Sequence, residues 1–519
     1  MNTSSGEAPR TAPSLKPSLP SPPPMSSTGR TISRSTTANS MGWSLIENGG
    51  LTLVSFLSLI VYLRILSVAD FGLFSTALAF IELLGVLVTM LFHNALVQRS
   101  VATDLHFNTA FTATMALSLL MALGCWAIAP IFAAWVHQPS AARVLVWMSL
   151  IFPCSAVSAT LVAQQRRQFA FRTLALRSLI GRVIGGGIGI TAAFMGAGLW
   201  SLVLQQIMIA AIGSLVLWVS SDRTPRLQFR YGEFKQMIGF GMFSVSSLFL
   251  SISIRRVFTI LATAFLGVET AGYLNLSFRV VDVLWATAAS AVTQVALPLL
   301  AGLQFDAARL KRAYLASTQF SCLAIYPCFV GLGAVAPDIV EVLFGHRWQP
   351  SSPYLAILGF LVLVQVPRLQ FTPLLTAVGR PRDSLLGLMG ELLVMLGITA
   401  SFGMPSLLCA VAIWVASECT LTVVSSWVMR RATGYSAFEQ FHGVLNPLLA
   451  ALLMAAVVIE TRLQLSASIG AVLRLAVLLP LGAMVFTGAI LLLDRQLVKD
   501  FLVFAGSAFK GTASKLELP

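Results

Sequence analysis

The stretch LSVADFG at residues 66–72 returns 200 residues later as LGVETAG at residues 266–272. Ten residues beyond the final glycine of each copy, Glu82 faces Asp282. A second match, at an offset of 208, pairs GITAAF at 189–194 with GITASF at 397–402. Two matches in the same order indicate an internal repeat. The alternative is chance similarity between two apolar segments.

The composition places this repeat in a membrane. Of the 519 residues, 57% are apolar and 10% are charged, whereas soluble chains carry about 25% charged residues. A soluble chain of this length divides into domains joined by polar linkers, and this sequence shows no such division. The bilayer is therefore the solvent, which excludes a secreted disulfide scaffold. The six cysteines lie in apolar stretches without metal-ligand spacing, so we expect buried thiols, no metal site and no catalytic residue.

A bilayer core takes about 20 apolar residues per helix, and this measure predicts an all-α polytopic protein with about fourteen spans. Spans 1–6 correspond to spans 7–12, and because six is even both copies enter the membrane in the same direction. This predicts two six-helix lobes related by a parallel pseudo-two-fold axis along the membrane normal, followed by two C-terminal helices. The predicted spans are 42–66, 72–97, 109–134, 142–164, 175–196, 198–219, 236–266, 271–301, 313–335, 351–378, 384–403, 405–429, 443–460 and 470–493.

The lobes are flanked by more polar segments. Residues 1–41 are rich in Ser, Thr and Pro and are predicted to form a disordered cytoplasmic tail. This tail lacks the apolar stretch of a secretory signal, and a transit peptide is its alternative interpretation. The predicted order is the tail, the N-lobe at 42–220, a basic cytoplasmic connector at 221–235, the C-lobe at 236–430, spans 13 and 14 at 443–493 and a cytoplasmic tail at 494–519.

The basic residues test the span count independently. If the N-terminus is cytoplasmic, 24 of the 34 lysines and arginines fall on the cytoplasmic face and five on the opposite face. This asymmetry follows the positive-inside rule and predicts two cytoplasmic termini. It also accounts for the net charge of +14 through contacts with membrane lipids, without a nucleic acid partner. The five on the opposite face are Arg64, Arg143, Arg347, Arg462 and Arg474, and the remaining five lie inside the membrane.

Three segments resemble a known family. RILSVADFGLF at 64–74 resembles the junction of the first two helices in Wzx-like polysaccharide exporters, a branch of the MOP superfamily that also holds lipid II flippases and MATE exporters. Residues 171–203 are similar to the family's fifth and sixth helices, and residues 347–358 to its tenth. The resemblance covers roughly residues 42–430. Many relatives carry an Asn-x-Asp group in the seventh helix, whereas this chain has Ile254-Arg255-Arg256-Val257, so no coupling role is carried over there.

The resemblance implies a flippase of the bacterial inner membrane. It would move an undecaprenyl-pyrophosphate-linked oligosaccharide by alternating access for surface polysaccharide biosynthesis, with the polymerase machinery as an expected partner. Two related functions stay open, a MATE-type small-molecule antiporter and a lipid II flippase. A membrane-embedded polysaccharide polymerase or ligase is the alternative of a different class. Such enzymes are expected to carry a long extracytoplasmic loop, and the longest here is about fifteen residues, so we expect no enzyme.

Six arginines inside the spans or at a span end are candidates for binding the pyrophosphate and sugar. A charge inside the bilayer costs several kcal/mol unless it has a partner or a wet cavity, and guanidinium groups bind phosphate oxygens in a bidentate manner. Neighbouring positions on a helix point about 100° apart, so one of the two adjacent arginines is expected to face the cavity. Arg279 has Asp282 three residues on, and an ion pair between them is its alternative role. The six are Arg255, Arg256, Arg279, Arg368, Arg64 and Arg182.

Intramembrane acids are candidates for coupling transport to H⁺ or Na⁺, with no other cofactor expected. Glu82, Asp282 and Glu391 are the main candidates, with Glu47 and Glu418 as further members of the set. Their alternative role is to pair with arginines between helices. The repeat favours Glu82 and Asp282, because they occupy matching positions in the two copies.

Overall fold

The computed structural model describes residues 34–99, 101–221, 224–302, 306–465 and 469–509, and every regular element in these ranges is a helix. The N-lobe contains span 1 (Arg34–Ile65), span 2 (Val68–Met90, extended by His93–Gln98), span 3 (Asp104–Val136), span 4 (Ser140–Met148 and Ile151–Arg167), span 5 (Phe171–Phe194) and span 6 (Leu199–Ser220). A continuous helical segment, Tyr231–Gly302, forms spans 7 and 8.

The rest of the chain completes the C-lobe and the C-terminal pair. Span 9 is Ala307–Ala334, and the short helices Ala336–Phe344 and His346–Ser351 follow it. Span 10 consists of Ser352–Gln365, Val366–Arg368 and Phe371–Ala377; the turn Pro381–Asp383 leads into span 11 (Ser384–Phe402), and span 12 is Leu407–Thr433. The short helix Ala437–His442 precedes span 13 (Leu445–Gln464), span 14 (Ala471–Leu493) and a last helix, Arg495–Phe509.

The predicted fold class is confirmed. Twelve helices among the described residues are long and apolar enough to cross a membrane. One of them, Leu248–Ala288, contains two spans, because Gly267 interrupts it with a φ of 81°. The apolar helix Gly49–Ile65 adds another, as the described end of span 1. Counted in this way, the described helices come close to the predicted fourteen spans.

A contact between two glycines shows how the lobes are related. A methyl group on Gly72 would lie 1.8 Å from the carbonyl oxygen of Val268, and one on Gly272 would lie 2.7 Å from that of Val68. Gly72 of the first copy meets Val268 of the second, and Gly272 of the second meets the equivalent Val68 of the first. Such reciprocal contacts are the pattern of a two-fold axis. Since both pairs are separated by 200 residues, the axis of the repeat passes between these glycines.

We name the two membrane faces by what they carry. The opposite face holds the turn between spans 1 and 2 and the break at Gly267, where the two glycines meet. The basic face is the other one, where most lysines and arginines lie. On the basic face, the connector packs on span 3: the Asn108 amide donates to Gln228 Oε1 at 2.9 Å, and Asn108 Oδ1 accepts from the Arg226 amide at 2.9 Å.

Three predicted boundaries change. The helix of span 1 begins at Arg34, inside the predicted tail 1–41, while residues 1–33 lie outside the described part. The connector 221–235 ends early, because span 7 starts at Tyr231. The tail 494–519 contains the helix Arg495–Phe509, which is amphipathic and packs its Phe501 ring against Phe320 of span 9 with ring centres 5.8 Å apart.

The segment between spans 9 and 10 forms two short helices, and we call residues 336–351 the bridging segment. Its Asp338 is fully buried and accepts from Nε of Arg462 at 2.5 Å and from Nε of Arg474 at 2.6 Å. These arginines belong to spans 13 and 14, so one carboxylate fixes both C-terminal spans to the C-lobe. Its neighbour Glu341 lies 3.4 Å from Arg474.

Span 5 approaches span 6 through a ridge of small residues. Gly181, Gly185 and Gly189 recur every fourth residue, and a methyl group on Gly185 would lie 2.8 Å from the backbone nitrogen of Ile209. This ridge places Arg182 of span 5 beside the polar face of span 6.

Candidate functional site: a cleft between the lobes

A narrow cleft lies between the two lobes. Spans 1, 2, 5 and 6 line it from the N-lobe, and spans 7 and 8 line it from the C-lobe. Its free volume is about 100 Å³, room for a few water molecules at roughly 30 Å³ each. An oligosaccharide therefore needs the lobes to move apart before it can enter.

Arg255 contributes a paired charge to the cleft wall. Its Nη2 donates to Oδ2 of Asp282 at 2.9 Å, and both residues belong to the C-lobe. Its guanidinium carbon also lies 3.8 Å from the centre of the Phe278 ring, a cation–π contact. The alternative role of Arg279, an ion pair with Asp282, is therefore wrong, because Asp282 pairs with Arg255 of the preceding span.

Arg256 joins the two lobes. Its Nη2 lies 2.5 Å from Oε2 of Glu82, which belongs to span 2 of the N-lobe. Both Arg255 and Arg256 line the cleft, so the expectation that only one of them faces it is wrong. The cleft lies where spans 2 and 8 meet. The side chains of Arg255 and Arg256 point in different directions, so Arg255 reaches Asp282 of span 8 and Arg256 reaches Glu82 of span 2.

Two further arginines in the cleft lack a carboxylate partner. Arg182 of span 5 and Arg279 of span 8 both line it. Within the described part of the chain, neither side chain makes an ion pair, and Nε of Arg182 is buried without a hydrogen bond. The cleft lining thus combines four arginines with two acids, Glu82 and Asp282. This excess of positive charge suits an anion.

Arg368 lies elsewhere, inside the C-lobe. It pairs with Glu418 of span 12, which is 7% exposed. Glu391 of span 11 is 3% exposed and lies within electrostatic range of both. The cleft lining does not include these three residues. They form a buried cluster of one arginine and two acids. Glu47, another of the predicted acids, has a side chain outside the part that the structure describes.

Arg64 belongs to a lobe contact on the opposite face. Its Nε donates to the carbonyl of Leu343 at 3.0 Å, and its Nη2 to that of Val342 at 2.5 Å. Both acceptors lie at the C-terminal end of a short helix, where free carbonyls attract a cation. Arg64 therefore caps the bridging segment and does not line the cleft.

The same region closes the opposite end of the cleft. The buried Trp348 indole donates to the carbonyl of Leu63 at 2.8 Å. Thr76 and Thr263 approach each other with hydroxyl oxygens 2.6 Å apart. These contacts join the lobes, and we call the set formed by Leu63, Thr76, Thr263 and Trp348 the opposite-face gate.

The uncharged polar residues of the cleft belong to no motif that marks them in the sequence. They come mainly from spans 1, 2 and 6 of the N-lobe, and their signal in the sequence is the presence of hydroxyl and amide groups in otherwise apolar spans. They are Ser55, Ser58, Tyr62, Ser75, Gln205, Gln206 and Asn275.

Comparisons with known proteins agree with this architecture. The chain is 28% identical over 480 residues to the succinoglycan biosynthesis transport protein ExoT of Rhizobium meliloti, covering 92% of this chain and 97% of the relative. It is 22% identical over 405 residues to the teichuronic acid biosynthesis protein TuaB of Bacillus subtilis, covering 77% and 84%. Its structure resembles the lipid II flippase MurJ in an inward closed conformation, with a TM-score of 0.72 and 12% identity over 88% of this chain and 100% of that one.

The matching regions span both lobes. The family model described as "Polysaccharide biosynthesis protein" matches residues 61–353, which run from the end of span 1 to the start of span 10. That range includes the repeat, the glycine contact and most of the cleft. The chain belongs to this polysaccharide biosynthesis family, and its fold is like that of the lipid II flippase structure.

Proposed function

We propose that this protein moves an undecaprenyl-pyrophosphate-linked oligosaccharide across the bacterial inner membrane. In this proposal the basic face is cytoplasmic, as the positive-inside rule favours, and both termini lie there. The names of the relatives support polysaccharide transport. The observation that carries the proposal is the pair of arginines, Arg182 and Arg279, that line the cleft without carboxylate partners.

Chemistry supports an anionic substrate. A pyrophosphate remains charged throughout the neutral pH range, and guanidinium groups bind its oxygens while remaining charged themselves. Arg182 belongs to the N-lobe and Arg279 to the C-lobe, so an anion between them would contact both lobes. Four arginines against two acids in the cleft lining would repel a cationic substrate, which disfavours a MATE-type exporter of cationic compounds. A lipid II flippase carries the same pyrophosphate chemistry, and the relatives' names favour polysaccharide.

The transport cycle follows from the contacts between the lobes. The opposite-face gate is closed, so the substrate would enter from the basic face and its polyprenyl tail would remain in lipid. Entry requires the pair between Arg256 and Glu82 to part, because it joins the lobes across the cleft. Rocking of the two lobes would then separate spans 2 and 8 at the glycine contact and open the gate.

An ion gradient is the proposed energy source. Glu82 and Asp282 lie in the cleft, and Glu391 lies in the buried C-lobe cluster with Arg368 and Glu418. Glu391 has no arginine of its own within the described chain, which makes it the acid with most freedom to take up H⁺ or Na⁺.

The experiment replaces arginine by glutamine in and outside the cleft. Arg182→Gln and Arg279→Gln should express normally, lower surface polysaccharide and cause the lipid-linked oligosaccharide to accumulate in the cytoplasmic leaflet. Arg143→Gln, on an exposed residue away from the cleft, is the matched control and should transport normally. Lipid-linked intermediates are quantified by mass spectrometry of membrane extracts. Normal export by both cleft variants would contradict the proposal.

A further inference from the structure

We propose that the uncharged polar residues of the cleft form a subsite for the glycan, so that the substrate enters the cleft with its sugar leading and its pyrophosphate behind. This inference rests on the proposed function and assigns a place to each part of the substrate. It depends on how the lining residues are distributed with depth.

The uncharged groups lie near the opposite face. At 1.5 Å per helical residue, Tyr62 lies about 5 Å from the end of span 1 at Ile65. Ser75 lies about 10 Å from the start of span 2 at Val68 by the same measure. Gln205 and Gln206 lie about 9–11 Å from the start of span 6 at Leu199. These residues therefore occupy the half of the cleft nearer the opposite face, at the level of the gate.

The charged groups lie deeper. Arg182 is about 18 Å from the end of span 5 at Phe194, and Arg279 is about 18 Å from the break at Gly267, again at 1.5 Å per residue. Glu82 is about 21 Å from the start of span 2. The cleft thus has an uncharged layer towards the opposite face and a charged layer towards the basic face.

The uncharged layer has hydrogen-bonding groups without partners. Among the described residues, the side chains of Ser75, Gln205 and Gln206 make no hydrogen bond, and the buried hydroxyl of Tyr62 has no partner either. Polar side chains that only hold helices together normally bond across them, as Thr76 and Thr263 do. Unpartnered hydroxyl and amide groups are instead suited to bind the hydroxyls of a sugar.

Aromatic rings complete the same layer. Phe71 and Phe74 of span 2 line the cleft beside Ser75, and apolar ring faces suit the C–H faces of a pyranose. No lysine, arginine, aspartate or glutamate from the described residues lies in this layer. A neutral glycan therefore finds uncharged donors, acceptors and aromatic faces there, while a pyrophosphate finds its counter-charges one layer deeper.

The test compares two lipids on the full-length protein in lipid nanodiscs. One probe is undecaprenyl pyrophosphate, and the other is the glycan-bearing lipid purified from cells that lack this gene. Ser75→Ala and Gln206→Leu should each weaken binding of the glycan-bearing lipid about fivefold, the loss of roughly one hydrogen bond. Binding of bare undecaprenyl pyrophosphate should be unchanged. Gln365→Leu, on a span 10 residue outside the cleft lining, is the matched control and should change neither.

Arg279→Gln separates this inference from the proposed function, because it should weaken both lipids equally. If Ser75→Ala and Gln206→Leu weaken both lipids to the same extent, or leave both unchanged, the glycan subsite is refuted while the proposed function stands. If neither lipid binds the wild-type protein, or Arg279→Gln binds both normally, the proposed function fails and the subsite with it. Ser75 and Gln206 are half-buried in the cleft wall, so their replacement should leave the fold intact. Thermal unfolding of each variant checks this.

Discussion

Replacing Gly72 by alanine is expected to weaken the opposite-face gate. The new methyl carbon would lie 1.8 Å from the carbonyl oxygen of Val268, where 3.0 Å is the least that real contacts allow. Spans 2 and 8 must therefore separate locally by at least 1.2 Å, the difference between these distances. Since the obstacle is backbone, no side-chain rotation relieves it. Overpacking of this kind costs about 1–3 kcal/mol.

This cost falls on the closed state, in which the two spans touch. At 1.4 kcal/mol per tenfold change, the ratio of closed to open gates should drop about 5- to 150-fold. A graded series tests the reasoning. Gly272→Ala should have a smaller effect, because its methyl carbon would lie 2.7 Å from the Val68 carbonyl. Gly187→Ala, a helical glycine with no atom within 4 Å of the added carbon, should have none.

A disulfide across the gate supplies the assay. The hydroxyl oxygens of Thr76 and Thr263 are 2.6 Å apart and belong to different lobes, so Thr76→Cys with Thr263→Cys should crosslink rapidly under mild oxidation. The six native cysteines are first replaced. The fraction crosslinked with time, read by peptide mass spectrometry, should fall in the order Gly187→Ala, Gly272→Ala, Gly72→Ala. Oxidation should also stop export until reductant is added.

Equal crosslinking rates in all three alanine variants would refute the reasoning. That result would mean that the contact between spans 2 and 8 does not determine the closed state. The crosslink alone would still report proximity of the lobes, so the two conclusions are separable.

Two further predictions concern ion pairs. Asp338→Asn leaves the arginines of spans 13 and 14 without their buried partner and should destabilise the protein by about 3–5 kcal/mol, measured as a lower midpoint of thermal unfolding in detergent. Glu341→Gln, on a 44% exposed side chain, should cost far less, and equal losses would contradict the anchoring role. Glu82→Gln leaves Arg256 unpaired between the lobes, so it should lower thermal stability and Arg256→Gln should restore it without restoring export. A double variant as unstable as Glu82→Gln would contradict this pairing.

The sequence predicts the fold well because the bilayer imposes a length on each span. Runs of about 20 apolar residues and the alternation of basic loops give the number and direction of the helices before any packing is known. The repeat also predicts a two-fold axis between the lobes. The contact between Gly72 and Gly272 lies where the offset of 200 places that axis.

The partners of the intramembrane charges were harder to predict, because they depend on the rotation of each helix about its axis. Asp282 lies three residues from Arg279 but pairs with Arg255, which is 27 positions away. Arg368 pairs with Glu418 over 50 positions. A local spacing rule finds neither contact. Depth in the membrane follows from counting residues, whereas the direction in which a side chain points depends on neighbours that only the tertiary structure supplies.

The two copies of the repeat share a fold but differ in chemistry at the cleft. Arg255 of span 7 aligns at the offset of 200 with Ser55 of span 1, and Arg279 aligns with Ala79. The acids Glu82 and Asp282 keep their charge in both copies. At these two positions the C-lobe has arginines where the N-lobe has a small or hydroxyl side chain, and the third C-lobe arginine of the cleft, Arg256, aligns with Phe56. A two-fold axis along the membrane normal relates residues at the same depth, so this divergence makes the two walls of the cleft differ, with three of its four arginines on the C-lobe wall. An anion held between the lobes would therefore contact the C-lobe wall more strongly than the N-lobe wall.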